Sequence, residues 1–452
     1  QLHGYDLNCL CPLYDPENVR AHSLASGADE KVVRVFWAPQ PFLDTVKRIA
    51  GVETIESSAA KAERPLFAPV ADESHAMDGD EDDEGEMKMP TPSPPPAAAQ
   101  SSATKGNAEQ LAFLESTASR AVKANLPELG LSNKALMDGD AANNMRGMTH
   151  VQQTMSGTAQ LSVGVPPPED YLLSTTLWPE VEKLYGHGYE IISIACNYNG
   201  TMLASACVAK KSAHAVIRVW QVRDWTEVLQ LESHRSSVVS LAFSPDGRFL
   251  LSASKDRHIT VFELSEATGR PTLLGSTKLR AHGRIVWNAV WAPSRDFAYC
   301  ATASRDKTVR CFRVTGPVGQ PQIVEDATLP AFTCAATAVA FAPLAPRSSS
   351  VSDLFPTPTL KPTKLTLAIG LEDGRIEVWQ SAPTENIQTA KLQWSRLYAF
   401  PDNFCHGGFV KRLAWRWRSD STGSAPELEL ASCSQDQSVR IFTVPAASIN
   451  MA

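Results

Sequence analysis

Two runs in which apolar residues recur at alternate positions, VVSLAF (238–243) and FLLSAS (249–254), frame the turn Ser244–Pro245–Asp246–Gly247. Period-two alternation predicts strands, and the Pro and Gly suit the first corner and the close of a tight turn. A second turn, Lys255–Asp256–Arg257, leads into a third run, HITVFEL (258–264). Three strands and two tight turns within about thirty residues make an antiparallel meander. One such sheet is marginal alone, because it buries only part of its apolar surface.

The chain repeats the pattern. His234 opens this unit, and His282 opens a second, with Asp306 ahead of its third run. His406 opens a unit that carries Asp436, and His187 opens one whose turn reads VAKKSAH instead of carrying an Asp. His3 stands at the head of an early unit with Asp29 before KVVRVF, and a sixth unit has Asp373 but no leading His. The spacings from His187 to His234 and from His234 to His282 are 47 and 48 residues. A 40–50-residue period ending in Asp-x-x-[Val/Ile]-x-[Val/Cys/Ile]-[Trp/Phe] resembles the WD-repeat β-propellers. The expected fold is therefore all-β, each unit one blade.

Composition divides the chain. Net charge is −7 over 452 residues, but nine carboxylates fall within residues 72–86, and without them the balance is +2. A Pro-rich stretch follows, so 53–120 is expected to be an acidic, Pro-rich disordered insertion, too poor in apolar side chains to offset the entropy of ordering. Residues 1–52 are expected to be the last blade region of a preceding propeller, since about 135 residues separate that unit from its next relative. Residues 121–446 are expected to form a second propeller, with a low-complexity loop at about 138–168 and an insertion at about 345–363. The alternation of Val181, Lys183 and Tyr185 predicts an outer strand running into His187, and Phe42 to Ile49 suggests another outer strand or a short helix. The chain opens on Gln1, inside a repeat, and is expected to be part of a longer protein. Nine cysteines without a Cys-x-x-Cys pair are expected to be buried free thiols in a reducing compartment. With neither a secretory signal nor an 18-residue apolar run, the expected setting is cytoplasmic, and also nuclear.

Irregular stretches narrow the resemblance. LGLSNKA (129–135), EDYLLSTTLWPEVEKLYGHGYEI (169–191) and LASACVAKKSAHAVIRVW (203–220) are similar to the WD-repeat subunit of Elongator. The 53–120 insertion is longer than the family's pattern. The resemblance implies a tandem pair of propellers, with seven blades expected in the second, of which this chain would carry the later portion. It also implies a non-catalytic scaffold that holds the largest Elongator subunit and the catalytic radical/acetyltransferase subunit together, supporting modification of the wobble uridine of transfer RNA.

In the WD pattern the repeated His and Asp meet through folding: His234 with Asp256, His282 with Asp306 and His406 with Asp436. Asp373, His187 and Asp29 are the corresponding residues of the irregular units. A buried carboxylate needs donors, which an imidazole N–H and backbone amides supply, and Ser252 or Ser254 extends the set. Ser, His and Asp also compose a hydrolase triad, but a catalytic set is needed once, and no Gly-x-Ser-x-Gly elbow occurs. Neither a phosphate-cradling Gly-x-x-x-x-Gly-Lys-[Ser/Thr] nor zinc spacing is present, so no cofactor, metal or catalytic residue is expected.

Residues 180–313 carry 18 Lys and Arg against 12 Asp and Glu. Lys210, Lys211, His214, Arg257, Arg305 and Lys307 are candidate partner or RNA contacts, with Arg218, Arg235, Arg248, Lys255 and Arg310 in the same excess. Direct RNA binding by a basic propeller face is the alternative function, with transfer RNA contact otherwise indirect. A WD-repeat adaptor for another assembly is the third reading.

Overall fold

A computed structural model describes residues 5–13, 23–39, 42–43, 177–266, 270–344, 364–384, 387–388, 390–418 and 427–445. Among them, strands build six antiparallel sheets, each forming one blade. The first holds β1 (Leu7–Leu13), β2 (Ser23–Ala28), β3 (Val33–Trp37) and β4 (Glu180–Leu184). The second holds β5 (Ile191–Cys196), β6 (Met202–Cys207), β7 (Val216–Gln221) and β8 (Thr226–Glu232). The third, built on the opening meander, holds β9 (Val238–Phe243), β10 (Phe249–Ser254), β11 (His258–Ser265) and β12 (Thr272–Arg280). The fourth holds β13 (Val286–Trp291), β14 (Tyr299–Ser304), β15 (Val309–Thr315) and β16 (Gln322–Thr328). The fifth holds β17 (Ala336–Phe341), β18 (Thr366–Leu371), β19 (Ile376–Ser381) and β20 (Trp394–Ala399). The sixth has three described strands, β21 (Val410–Arg418), β22 (Glu427–Ser434) and β23 (Val439–Pro445).

Burial grades across each blade. The second strands β6, β10, β14 and β18 are buried at every position, because both of their faces meet neighbouring blades. Outer strands such as β12 and β20 are mostly exposed. The turns form as their residues dictate. The Gly247 amide donates to the Ser244 carbonyl at 2.8 Å, with Gly247 at φ 74°, a left-handed conformation that glycine adopts without strain.

Polar bonds lace the first strands of successive blades. Asn8 Nδ2 donates to the Ile191 carbonyl at 2.9 Å, linking β1 to β5. The Asn288 amide group links β13 to both sides, donating through Nδ2 to Ser240 Oγ at 3.3 Å and accepting at Oδ1 from the Val339 amide at 3.0 Å. Trp291 Nε1 donates to the Ala242 carbonyl at 3.0 Å, and Trp415 Nε1 to the Ala340 carbonyl at 3.1 Å. Each bond satisfies a buried polar group across an otherwise apolar joint. A cavity of about 460 Å³ is lined by residues from all six blades, among them Asn8, Ile194, Leu241, Asn288, Val339 and Arg412.

One expectation needs correction. Residues 1–37 do not stand apart from the second propeller. β4 pairs with β3 in register Val33↔Leu184, so the early unit and the strand at 180–184 are one blade, and that blade lies against β5. Distance along the chain misleads here because strand alternation does not encode which strand is the partner, and closing over a longer stretch of chain costs little more entropy. The stretch before His187 supplies β4, the fourth strand of this first blade, and the described residues form six sheets where seven blades are expected from the resemblance. The predicted outer strand at 181–185 corresponds to β4. The insertions at 53–120, 138–168 and 345–363, residues 44–49 of the element suggested at 42–49, and His3 lie outside the described residues.

Candidate functional site

The repeated His, Asp and hydroxyl residues come together in three blades. His234 lies in the loop that enters β9, Ser252 near the end of β10, and Asp256 in the turn that follows. His234 Nδ1 is 3.1 Å from Asp256 Oδ2, and its Nε2 is 2.8 Å from Ser252 Oγ. The Arg235 and His258 amides each donate to the Asp256 carboxylate at 3.0 Å. In the fourth blade His282 Nδ1 is 3.0 Å from Asp306 and Nε2 is 2.7 Å from Thr302 Oγ1. The Gly283 amide and Thr308 complete the carboxylate's shell. In the sixth, His406 is 3.0 Å from Asp436 and 2.6 Å from Ser432 Oγ, with Gly407 and Ser438 as further donors. Ser254 has a separate task, accepting from the Asp256 amide and donating to the Ser236 carbonyl.

The electrostatics follow from this geometry. Burial opposes the charge on Asp256 and Asp306, but the hydrogen bonds from His234 or His282 and from the turn outweigh it and hold both carboxyls below the usual carboxylate range. Asp436 is displaced the same way, against a desolvation cost, mainly by Ser438 and the Gly407 amide. The bonded hydroxyls are inaccessible, Ser252, Thr302 and Ser432 each having no more than 1% exposure. A nucleophile must meet its substrate, and these face only the protein. The three clusters tie loop, strand and turn of one blade.

The irregular units use other partners. His187 Nε2 is 2.7 Å from Ser205 Oγ, and Trp220 Nε1 donates to the same oxygen at 2.8 Å. Ser205 Oγ thus joins the His187 and Trp220 rings inside the second blade. Burial, with the Arg218 charge nearby, lowers His187 to about 3, so it stays neutral. Asp29 accepts from Asn8 Nδ2 at 2.7 Å, and Asp373 pairs with Arg375.

The candidate contact residues separate into three places. Lys210 lies 5.8 Å from the Tyr189 ring centroid, and His214 packs edge-on against that ring at 4.8 Å, in the loop that also carries Lys211. Lys307 is engaged with the Thr333 carbonyl at 2.9 Å. Arg257 and Arg305 instead line a cleft of about 930 Å³ between the third and fourth blades, together with Arg235, Lys255, Lys278 and Arg284. Arg218, Arg248 and Arg310 are not available to a ligand in this way, being paired with Glu227, Glu263 and Glu325. Lys278 and Arg284 are not among the sequence candidates, since nothing in their local pattern says that the two loops adjoin.

Six of the nine cysteines are buried, and Cys9, Cys334 and Cys433 are partly exposed. Burial pushes the Cys9 and Cys311 thiols up to about 12, against weaker opposing contacts. Among the described residues no group of His, Cys, Asp and Glu is placed to hold a metal ion, and no helix is long and apolar enough to cross a membrane.

Successive four-stranded sheets, with His–Asp–Ser/Thr clusters repeated in their turns, define a WD-repeat β-propeller. The WD domain, G-beta repeat family matches residues 178–221, 225–263 and 274–313. The first match begins beside β4, so a sequence repeat takes its outer strand from the preceding blade. Over 98% of its length the chain is similar to Elongator complex protein 2 of Dictyostelium discoideum (32% identity), Mus musculus (30%) and Arabidopsis thaliana (32%). It covers 45%, 47% and 44% of those proteins, about half the length of the curated relatives it matches. The chain is thus a WD-repeat propeller similar to part of Elongator complex protein 2. Among solved structures, the crystal structure of RRP9 WD40 repeats gives a TM-score of 0.45 at 11% identity, covering 99% of this chain and 79% of that one.

Proposed function

We propose that the chain is part of a non-catalytic scaffold subunit of Elongator, holding the largest subunit and the catalytic radical/acetyltransferase subunit together and so supporting wobble-uridine modification of transfer RNA. The observation that carries this reading is the similarity to Elongator complex protein 2 along 98% of the chain, irregular stretches included. A propeller suits the task. Its second strands are buried on both faces, so the blades are rigid, while loops and outer strands remain free to meet partners. The site of action in this reading is the cytoplasm, and also the nucleus. Affinity purification of the full-length protein followed by mass spectrometry tests it. Recovery of the largest and catalytic subunits in near-equal amounts is expected, and their absence from a soluble, folded preparation would sink the reading. A second reading, direct contact between a basic face and RNA, is favoured by the cleft between the third and fourth blades.

A further inference from the structure

We infer that the cleft between the third and fourth blades is a binding site for the backbone phosphates of base-paired nucleic acid. It deepens the RNA reading above and does not rest on the scaffold reading.

Six cations line this cavity of about 930 Å³: Arg235, Lys255, Arg257, Lys278, Arg284 and Arg305. All six residues are exposed. The side chains of Arg235, Lys255, Arg257, Arg284 and Arg305 make no hydrogen bond or ion pair with any described residue, unlike Arg218, Arg248 and Arg310 elsewhere on the surface. Lys278 is held at the Ser233 carbonyl and lies 3.6 Å from Asp256. Asp256 is the sole carboxylate in the lining, and it is already engaged by His234, the Arg235 and His258 amides and Lys278. The cleft therefore gathers unpaired positive charge that an anion would neutralise, and a concave wall concentrates that field.

Arg257 sits at φ 74°, as Lys307 and Gln437 do at φ 68° and 63° in the equivalent turns of the fourth and sixth blades, while the fifth blade uses Gly374 at φ 90°. In the third blade that turn position sets a guanidinium at the rim of the cleft.

The lining also says what kind of polyanion fits. No Phe, Tyr or Trp lines the cleft, and its one aromatic ring, His258, is tied through Nδ1 to the Asp256 carbonyl, so unpaired bases find little stacking surface. Ile285 is the sole large apolar side chain in the lining, so a peptide finds few pockets for its side chains. What remains is a set of forked and point cations suited to phosphate oxygens held in a rigid array, the surface that a duplex presents without regard to sequence. RNA and DNA duplexes share that chemistry.

Fluorescence anisotropy on the full-length protein, with RNA and DNA duplexes of about 20 base pairs and the matching single strands, tests the site. Binding of one or both duplexes in preference to single strands is expected, with affinity falling as salt rises. The variant R257G/R284Q/R305Q should bind at least about tenfold more weakly, its salt slope reduced by about one for each phosphate that is no longer neutralised. Its melting temperature should hold, since glycine suits the left-handed turn position and the other two changes are at the surface. K210Q/K211Q, in the second-blade loop, should bind as the unaltered protein does. The inference is overturned if the folded triple variant binds like the unaltered protein, if affinity is independent of salt, or if single strands, a phosphopeptide or an acidic peptide bind more tightly than either duplex.

Discussion

Asp306 shows how a short pattern becomes a structural bond. Its carboxylate receives the His282 imidazole, the Gly283 amide and Thr308, and its side chain is 15% exposed. Removing it leaves a buried His and two turn amides without an acceptor, so Asp306→Ala should lower stability by about 1–3 kcal/mol in denaturant melts. Asp373 occupies the matching turn of the fifth blade, but its side chain is 36% exposed and bonds to the neighbouring Arg375, through that residue's amide and guanidinium. Asp373→Ala should cost less than about 1 kcal/mol. Equal losses at both positions would contradict the assignment of Asp306 to a buried network.

His187 gives the fold a pH dependence of known sign. Burial holds it near 3 in the folded chain, against an ordinary value of 6.5. Below about pH 6.5 the unfolded chain takes up a proton that the folded chain refuses, so this contribution is complete above that pH and is lost as the pH falls towards 3. The depressed carboxylates contribute in a lower range, beneath their ordinary value of 3.8. Melting temperature measured between about pH 7.5 and 5 should fall, and His187→Gln should flatten that fall. The His–Asp clusters were legible from spacing because their members recur at fixed offsets. Asn8 and Asn288 were not, because an Asn that bonds to a distant main chain has no local signature.

At the scale of elements, the third blade was readable whole. Its alternation, its Ser-Pro-Asp-Gly turn and its signature Asp all predict one meander, and the registers of β9, β10 and β11 agree. The first blade was not, because β3 and β4 lie on opposite sides of a long insertion, and neither sequence names the other. Packing decides the matter. Gly27 on β2 faces Ile191 on β5 so closely that a Cβ would overlap that side chain and the Cys9 sulfur. Gly27→Val should therefore force the first blade off the second and lower the melting temperature by several degrees, an overpacking cost of about 1–3 kcal/mol. Hydrogen exchange should report the loss first in β1–β5. An unchanged melt with unchanged exchange there would refute the joint.

At the scale of the whole molecule, two kinds of sequence information served different ends. The regular repeats specify a rigid frame with clusters sealed from solvent. The irregular stretches, LWPEVEKLYGHGYE and the VAKKSAH loop, carried the family resemblance because repeat grammar alone would not generate them. Charge followed a third logic. The excess of 18 basic over 12 acidic residues in 180–313 was visible in the sequence, but only the fold separates cations engaged by Glu227, Glu263 and Glu325 from those left facing a shared cleft. The function proposed for this propeller is to join subunits rather than to perform chemistry. The most direct measurement is sedimentation of Elongator reconstituted with and without this propeller, residues 1–446. Without it the largest and catalytic subunits should separate, with wobble-uridine modification lost alongside. Co-sedimentation of the two subunits at unchanged stoichiometry would contradict the scaffold role.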